Sequence, residues 1–454
     1  MNVVYIHTHD SGRCLSPYGY QVPTDTIMEF AKKSLTFTNA YCAGPTCSPS
    51  RASLLTGLYP HQNGMLGLAQ RGFSLNDYGQ HLCQFLGRNN YYTVLSGIQH
   101  EVAYYLNVEA SKQLGYDEVL TTASADYLAE DLHFWDDANA DKVVEWLKTA
   151  NKKKPFFISY GMHSTHRPFP VQINEEIDEK YVKPATPIIN NEVNRHDFAQ
   201  YLTSAKNADQ CFKKIMGAIK ENGFEDNTII FFTTDHGLPY LFNKCSLRDR
   251  GIGVSFIMHV PHAQSNGQVT DALISHVDVF PTLCDLLKLE KPDYLEGHSF
   301  AGIFEGEKVE DEYIFAEINF HASYEPARCI RNRRYKYIRY YDKNHLKVNA
   351  NNFDDSEAKE FYLDHGLVDY PKYEEALYDL YYDPQEENNI INHEEVKDVV
   401  KTMKDKLNEF QVRTNDPILK GPLEIKSHYK VNKAGAIHPS SKDPEDYEPE
   451  GTFY

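Results

Sequence analysis

The chain has 454 residues, 41% of them hydrophobic, which is enough apolar side chain for a sizeable core. Its 65 acidic residues against 46 basic ones leave a net charge of −19, a surface that repels nucleic acid and anionic membrane and excludes both as expected partners. Cysteines at 14, 42, 47, 83, 211, 245, 284 and 329 follow no dense spacing, so the expectation is free thiols in a reducing, cytoplasmic setting and no disulfide framework.

The opening residues, MNVVYIHTHD, have neither a basic start nor a long apolar run. They read as a first strand and not as a signal peptide. No stretch is long enough to span a membrane. Further buried strands are expected at 91–97 (YYTVLSG), 155–162 (PFFISYGM), 227–235 (NTIIFFTTD) and 254–261 (VSFIMHVP), each β-branched or aromatic and bounded by polar, Gly or Pro residues. Helical spacing appears at 24–34, 136–150 and 196–223, with Gly223 as a terminator, and again at 270–289. The alternation predicts an α/β fold: a large mixed, mostly parallel sheet with helices on both faces.

After about residue 310 the pattern changes. EYIFAEI, ARCIRN and YKYIRYYD read as short strands of a smaller antiparallel sheet, and 394–414 as a helix. The expected organisation is a large α/β domain over 1–310, a smaller α+β subdomain over 311–434 and an extended, polar, acidic tail over 435–454.

One short stretch, AGPTCSPSRASLLTG at 43–57, has its own local logic. Ser48 is a good N-cap, Pro49 suits the first helical position and Gly57 suits the end. Cys47 is then expected just outside a helix N-terminus beside Arg51. That setting attracts anions and depresses a thiol pKa. The stretch either activates Cys47 or holds an anion next to it.

In an open α/β sheet, ligands bind at the carboxyl ends of the strands. Here those ends carry His7, His9 and Asp10; then Gln99 and His100 after Gly97; then His163, His166 and Arg167; then Asp235 and His236. Lys244, Arg248 and Arg250 follow in one loop. A histidine at a strand end is more often a hydrogen-bonded structural residue, and an Arg/Lys loop more often a solvated face. Their recurrence at the same end of successive strands outweighs those readings. Carboxylates and imidazoles suit a divalent cation, and added lysine and arginine suit a tetrahedral oxyanion.

CSPSRASLLTG resembles the Cys-x-Pro-Ser-Arg pattern of the type I sulfatases, members of the alkaline phosphatase superfamily. LYPHQNGMLGL (58–68) and EFQVRTNDPIL (409–419) are similar to the sulfamidase, or heparan N-sulfatase, branch. ALYDLYYDPQEENNI (376–390) resembles a phrase late in many sulfatases. The resemblance implies an alkaline phosphatase-like fold and hydrolysis of a sulfate ester or N-sulfate of a sulfated saccharide. It implies that a maturation enzyme converts Cys47 to formylglycine, whose hydrate attacks sulfur. Asp10, His9, Asp235, His236 and residue 47 are then the implied metal ligands, with calcium the family's usual ion. Arg51, His100, His166 and Lys244 are the implied catalytic partners of Cys47; Arg167, Arg248, Arg250 and His321 are implied to bind substrate.

Two positions depart from the family pattern. His9 precedes Asp10 where the family has a second aspartate, and imidazole suits zinc or manganese better than calcium. Ile98 stands where a sulfate-gripping lysine is usual, so Arg248 or Arg250 is expected to take its place. Alternative readings are a phosphonate monoester or phosphodiester hydrolase of the same superfamily, a degenerate glycan-binding relative, or a thiol–metal site on Cys42 and Cys47. The last lacks a second cysteine pair, and Cys42 reads better as a small buried residue. EVAYYL (101–106) and NFHASYEPAR (319–328) are candidate sugar-stacking platforms among 32 tyrosines.

Overall fold

The structure, a computed structural model, describes residues 1–103, 108–308 and 313–449. Eight strands form the large sheet: β1 (Asn2–His7), β2 (Leu35–Tyr41), β3 (Tyr92–Gly97), β4 (Glu118–Val119), β5 (Phe156–Gly161), β6 (Thr228–Thr233), β7 (Gly253–His259) and β8 (Val269–Ser275). Their order is β4-β3-β5-β1-β6-β7-β2-β8. β7 pairs antiparallel with both β6 and β2, while every other pairing is parallel, so β7 alone runs against the rest.

The central strands are apolar on both faces, as a covered parallel sheet requires. Val3 and Tyr5 of β1, with Ile229 and Phe231 of β6, enter one core. Val4 and Ile6, with Ile230 and Phe232, enter the other. The helices Asp25–Ala31, Leu132–Thr149 and Glu192–Glu221 cover the second face. The helices Cys47–Thr56 and Val279–Leu287 cover the first.

A second sheet, β9 (Ile314–Phe320), β10 (Tyr324–Arg331), β11 (Tyr335–Tyr340) and β12 (Glu375–Asp379), is antiparallel throughout, in the order β12-β11-β10-β9. Period-two alternation again divides its faces. Tyr337 and Leu377 pack on Met403 and Leu407 of the helix Lys397–Arg413. Ile338, Ala376 and Tyr378 face the large sheet's first core. Near the carboxyl terminus, side chains pin an extended segment: Asn351 Nδ2 donates to Ala436 O at 3.0 Å and Lys359 Nζ to Ile437 O at 2.7 Å.

Three expectations about elements change. Residues 270–289 are not one helix: β8 occupies Val269–Ser275, and the helix begins at Val279. The run Ala272-Leu273-Ile274 is continuously buried, a strand signal that its neighbouring helical spacing hid. β2 was not anticipated, although Leu35, Thr36, Phe37 and Thr38 are good strand formers. The helix at 47 starts two residues early. Thr46 is its N-cap, Cys47 its first residue, and Gly57 closes it at φ 66°. Ser48 does not cap, because its hydroxyl accepts from Ala69 N at 3.0 Å and so ties down the next loop. Among the described residues no helix is long and apolar enough to cross a membrane. All eight cysteines are free and buried, Cys42 among them.

Candidate functional site

β3, β5, β1 and β6 are neighbours in the sheet, so the loops leaving their carboxyl ends meet. From β1 come His9 and Asp10, from β3 His100, from β5 His163 and His166, and from β6 Asp235 and His236. The Cys47–Thr56 helix presents Cys47 and Arg51 to them. The His9 ring lies 4.7 Å from that of His100, 5.1 Å from that of His166 and 6.2 Å from that of His163. Ligand atoms of Asp10, Cys47, Asp235 and His236 all lie within 4.8 Å of one another, and so do those of His9, Asp10, Cys47 and His166.

The carboxylates are set by the backbone. Asp10 takes φ 40°, in the left-handed region, where an aspartate costs on the order of 1–3 kcal/mol. Its N–H then donates to Asp235 Oδ1 at 2.8 Å. Asp235 Oδ2 accepts from Arg51 Nη2 at 3.0 Å and lies 3.2 Å from His9 Nδ1. Arg51 Nη2 also donates to Thr8 O at 2.9 Å, and Nη1 contacts His7 Nδ1. Arg51 is thus clamped beside Cys47 with no rotamer freedom. Lys244 Nζ bridges Asp10 Oδ2 and Asp354 Oδ2, each at 2.9 Å.

His236 decides what the cluster can hold. Its Nδ1 faces the Gly237 carbonyl at 3.0 Å, which cannot donate, so in the neutral ring Nδ1 carries the proton. The Nε2 lone pair then points at Asp10 Oδ1 (3.2 Å), Asp235 Oδ2 (3.7 Å) and Cys47 Sγ (3.5 Å). Among the described residues, Asp10 Oδ1 and His9 Nε2 accept no hydrogen bond. Buried lone pairs facing one another without protons between them are costly unless a cation sits there. The residues therefore fit a divalent metal, with two carboxylates and two imidazoles as donors.

Electrostatics correct the expectation for Cys47. Burial dominates and pushes its thiol well above the ordinary value; Asp10 and Asp235 add to this, and Lys244 and Arg51 only partly oppose them. The helix terminus does not make it a reactive thiolate. Burial also opposes ionisation of Asp10 and Asp235, but Lys244 holds Asp10, and Arg51 holds Asp235, well below the carboxylate range. Burial, with Lys244 next, lowers the His166 pKa, and burial with His9 and Arg51 lowers that of His100. His166 Nδ1 faces the Arg167 carbonyl at 2.5 Å, which leaves its Nε2 as the open nitrogen.

Two expected substrate residues are engaged elsewhere, and a third, Arg248, is only loosely paired. Arg167 is locked in a two-pronged pair with Asp197, both bonds 2.7 Å, and stacks on Phe169 and Tyr240. Arg250 is spent on Gln385 O (2.6 Å) and Glu387 (3.0 Å), and Arg248 points toward Glu387 at 3.9 Å. Neither replaces the lysine missing at Ile98, which packs on Leu132 and Trp135. His321 is buried, with Lys244 among the charges acting on it and no hydrogen bond to Nδ1. Tyr324 is a core residue whose hydroxyl accepts from Leu423 N at 3.0 Å, not a stacking platform. Tyr104 and Tyr105 lie outside the described residues.

Sequence reasoning missed Asp354, which lies 110 positions from Lys244 and carries no local signal. It also missed Asp136, which accepts from His163 N and Ser164 N at 2.7 Å and so shapes the loop carrying His166.

Comparisons with known proteins identify the family and the fold. Residues 1–289 match the Sulfatase family model, and residues 235–369 match the model of the N-sulphoglucosamine sulphohydrolase C-terminal region. The chain is 26% identical over 415 residues to an ulvan-active sulfatase of Formosa agariphila, covering 84% of this chain and 74% of that protein. It is 24% identical over 457 residues to human N-sulphoglucosamine sulphohydrolase, covering 88% of each. The solved structure of a 2-O GAG sulfatase superposes with a TM-score of 0.73 at 21% identity, covering 98% of both chains.

Proposed function

Because the chain belongs to the sulfatase family, we propose that this sulfuric ester hydrolase removes sulfate from a sulfated saccharide, with Cys47 matured to formylglycine as its nucleophile. The observation that carries this reading is the gathering of Asp10, Cys47, Asp235 and His236 donor atoms within 4.8 Å beside two fixed cations. Glucosamine N-sulfate is the leading substrate, supported by the match of residues 235–369 to the N-sulphoglucosamine sulphohydrolase C-terminal model.

A buried neutral thiol is a poor nucleophile. The hydrated aldehyde at position 47 offers two hydroxyls: one displaces the sugar oxygen or nitrogen from sulfur, and deprotonation of the other expels sulfate and restores the aldehyde. Asp10, Asp235 and His236, with His9, would hold a divalent cation, which supplies positive charge to the sulfate oxygens and to the diol. Arg51 and Lys244 add positive charge that cannot swing away, since each is held by carboxylates. The open Nε2 of His166 suits transfer of a proton to the leaving group, and His100 suits removal of one from the diol. Calcium is the family's usual ion; the two imidazoles make zinc and manganese competitors.

The test is a rate panel on protein coexpressed with a sulfatase-maturation enzyme: glucosamine N-sulfate, O-sulfated glucosamine, an aryl sulfate and an aryl phosphodiester. Fastest release of sulfate from a saccharide is expected. Faster phosphodiester cleavage would move the chain to phosphonate monoester or phosphodiester chemistry. Peptide mass spectrometry should find the aldehyde at position 47; active protein carrying only the free thiol would overturn the mechanism.

A further inference from the structure

A cavity of about 230 Å³ opens between the small sheet and the loop that carries Lys244. Its floor is the sheet face turned away from the Lys397–Arg413 helix: Ile338 and Tyr340 of β11, Ala376 and Tyr378 of β12. Phe242 and Arg248 close one side, and Tyr370 and Tyr373 another. None of Asp10, Cys47, Arg51, Asp235, His236 or Lys244 lines it.

The charge balance in this cavity is uneven. Lys372 is neutralised by Glu325 at 2.6 Å. Glu387 is shared by two guanidiniums and sits closer to Arg250 (3.0 Å) than to Arg248 (3.9 Å). Arg248 makes no side-chain hydrogen bond among the described residues, and its guanidinium lies 6.0 Å from the Phe242 ring. One undercompensated positive charge therefore projects into a pocket walled by flat aromatic rings. Such a pocket accepts a compact ring with apolar faces and one anionic substituent, because guanidinium pairs with carboxylate or sulfate through a fixed fork. The volume limits the occupant to about one monosaccharide.

We propose that this cavity is a second, non-catalytic site for one anionic pyranose residue, bound through Arg248 with the ring against Tyr340 and Tyr378. The choice of a sugar over another anionic ring rests on the saccharide reading above. The site is coupled to the catalytic cluster through the chain: Cys245 in its wall follows Lys244, and Phe353 precedes Asp354, the partner of Lys244. An occupant in the cavity thus braces both halves of that ion pair.

The test uses matured full-length protein, with glucuronate and glucosamine 6-sulfate as separate probes and methyl glucoside as the neutral control. Calorimetric titration should show binding of one or both anionic sugars that Arg248→Gln weakens by about tenfold or more and Arg248→Lys partly restores. Whichever probe binds identifies carboxylate or sulfate as the anion. Crystals soaked in that probe should hold a ring against Tyr340 and Tyr378. Should Arg248→Gln lower the thermal midpoint, Tyr373→Ser, a change at an exposed ring, serves instead with the same expectation. The proposal falls if both variants bind as the parent does, if the neutral sugar binds equally well, or if the soaked sugar lies only at Cys47. Sulfate release is scored separately. Binding without turnover counts against the catalytic reading alone, and turnover with Arg248-independent binding counts against the cavity alone.

Discussion

Two buried clusters of acid, imidazole and arginine are built from similar residues and differ in their hydrogen bonding. In the first, Asp10, Asp235, His9 and His236 meet around Cys47. In the second, His61, Glu317 and Asp416 meet around Arg328; their ligand atoms are as tightly grouped as those of the first. The difference lies in where the protons are. Arg328 donates twice to Asp416, at 2.6 and 2.8 Å, and Gln411 and Ile418 N add to it. Glu317 accepts from Asn319 at 2.9 Å and from His61. Every carboxylate oxygen there has a donor. At Cys47, Asp10 Oδ1 has none and faces the lone pair of His236. Proximity of ligand-type residues therefore does not by itself mark a metal site; an undonated carboxylate oxygen facing an imidazole lone pair does. The closed cluster fastens the carboxyl-terminal segment to β10, and the open one is where a cation and a substrate are proposed to bind.

The contrast can be broken from either side. The largest effect is expected from Cys47→Ala, which should lower sulfate release by about 10⁴-fold or more while leaving circular dichroism unchanged, since it removes the proposed nucleophile. Residual turnover within tenfold of the parent would mean that another group attacks. Next is Asp10→Asn, expected to cost about 10²-fold or more in turnover and to abolish the rise in thermal midpoint on adding calcium, manganese or zinc. The same midpoint measurement on Asp416→Asn should keep its response to metal.

Asp416→Asn should instead reduce stability by about 3 kcal/mol, because it removes the two-pronged partner of the buried Arg328 and leaves only Glu317, 3.8 Å away, as a counter-charge. Its pH dependence follows from the pair. Burial opposes ionisation of Asp416, yet Arg328 outweighs it and holds the pKa at about 2, below the ordinary 3.8. A depressed carboxylate contributes its stability above its unfolded pKa and loses it as pH falls through the folded value. The parent's advantage over Asp416→Asn in chemical denaturation should be full at pH 6 and shrink between about pH 4 and 2. A constant gap over that range would show that the carboxylate's charge is not what matters. The smallest effect is expected from His9→Asp. Exchanging an imidazole for a carboxylate should shift metal preference toward calcium by about tenfold, read by competition in metal analysis of the purified protein. An unchanged preference would remove His9 from the metal's ligands.

How much of this was legible along the chain depends on the range of each interaction. The helix over Cys47–Thr56 is written in its own neighbours: Pro49 near its start, Gly57 where the backbone must turn left-handed. The four strand ends were legible for the same reason, because a β-branched run ending in Asp or His is a local pattern. Once those strands are known to be parallel, their carboxyl ends must coincide. That is why His9, Asp10, His100, His166, Asp235 and His236 could be placed together before any coordinates.

Arg167, Arg248 and Arg250 could not be judged that way. A guanidinium reaches far in any direction, and only the fold shows that Asp197 takes up Arg167, that Gln385 and Glu387 take up Arg250, and that Arg248 is left 3.9 Å from Glu387. Asp354 and Asp136 were invisible for the complementary reason: nothing in their neighbours says that each will support the cluster, one through Lys244 and the other through the loop bearing His166. Even the protonation of Cys47 followed from burial and not from the helix end beside it. The amino-acid sequence by itself determined the layered α/β plan, the helix that carries Cys47 and the end of the sheet where the polar residues gather, because those follow from short-range periodicity and backbone geometry. Which charges are spent on one another and which remain open was decided only by tertiary packing, since charge pairing is set by distance through space and has no periodicity to read.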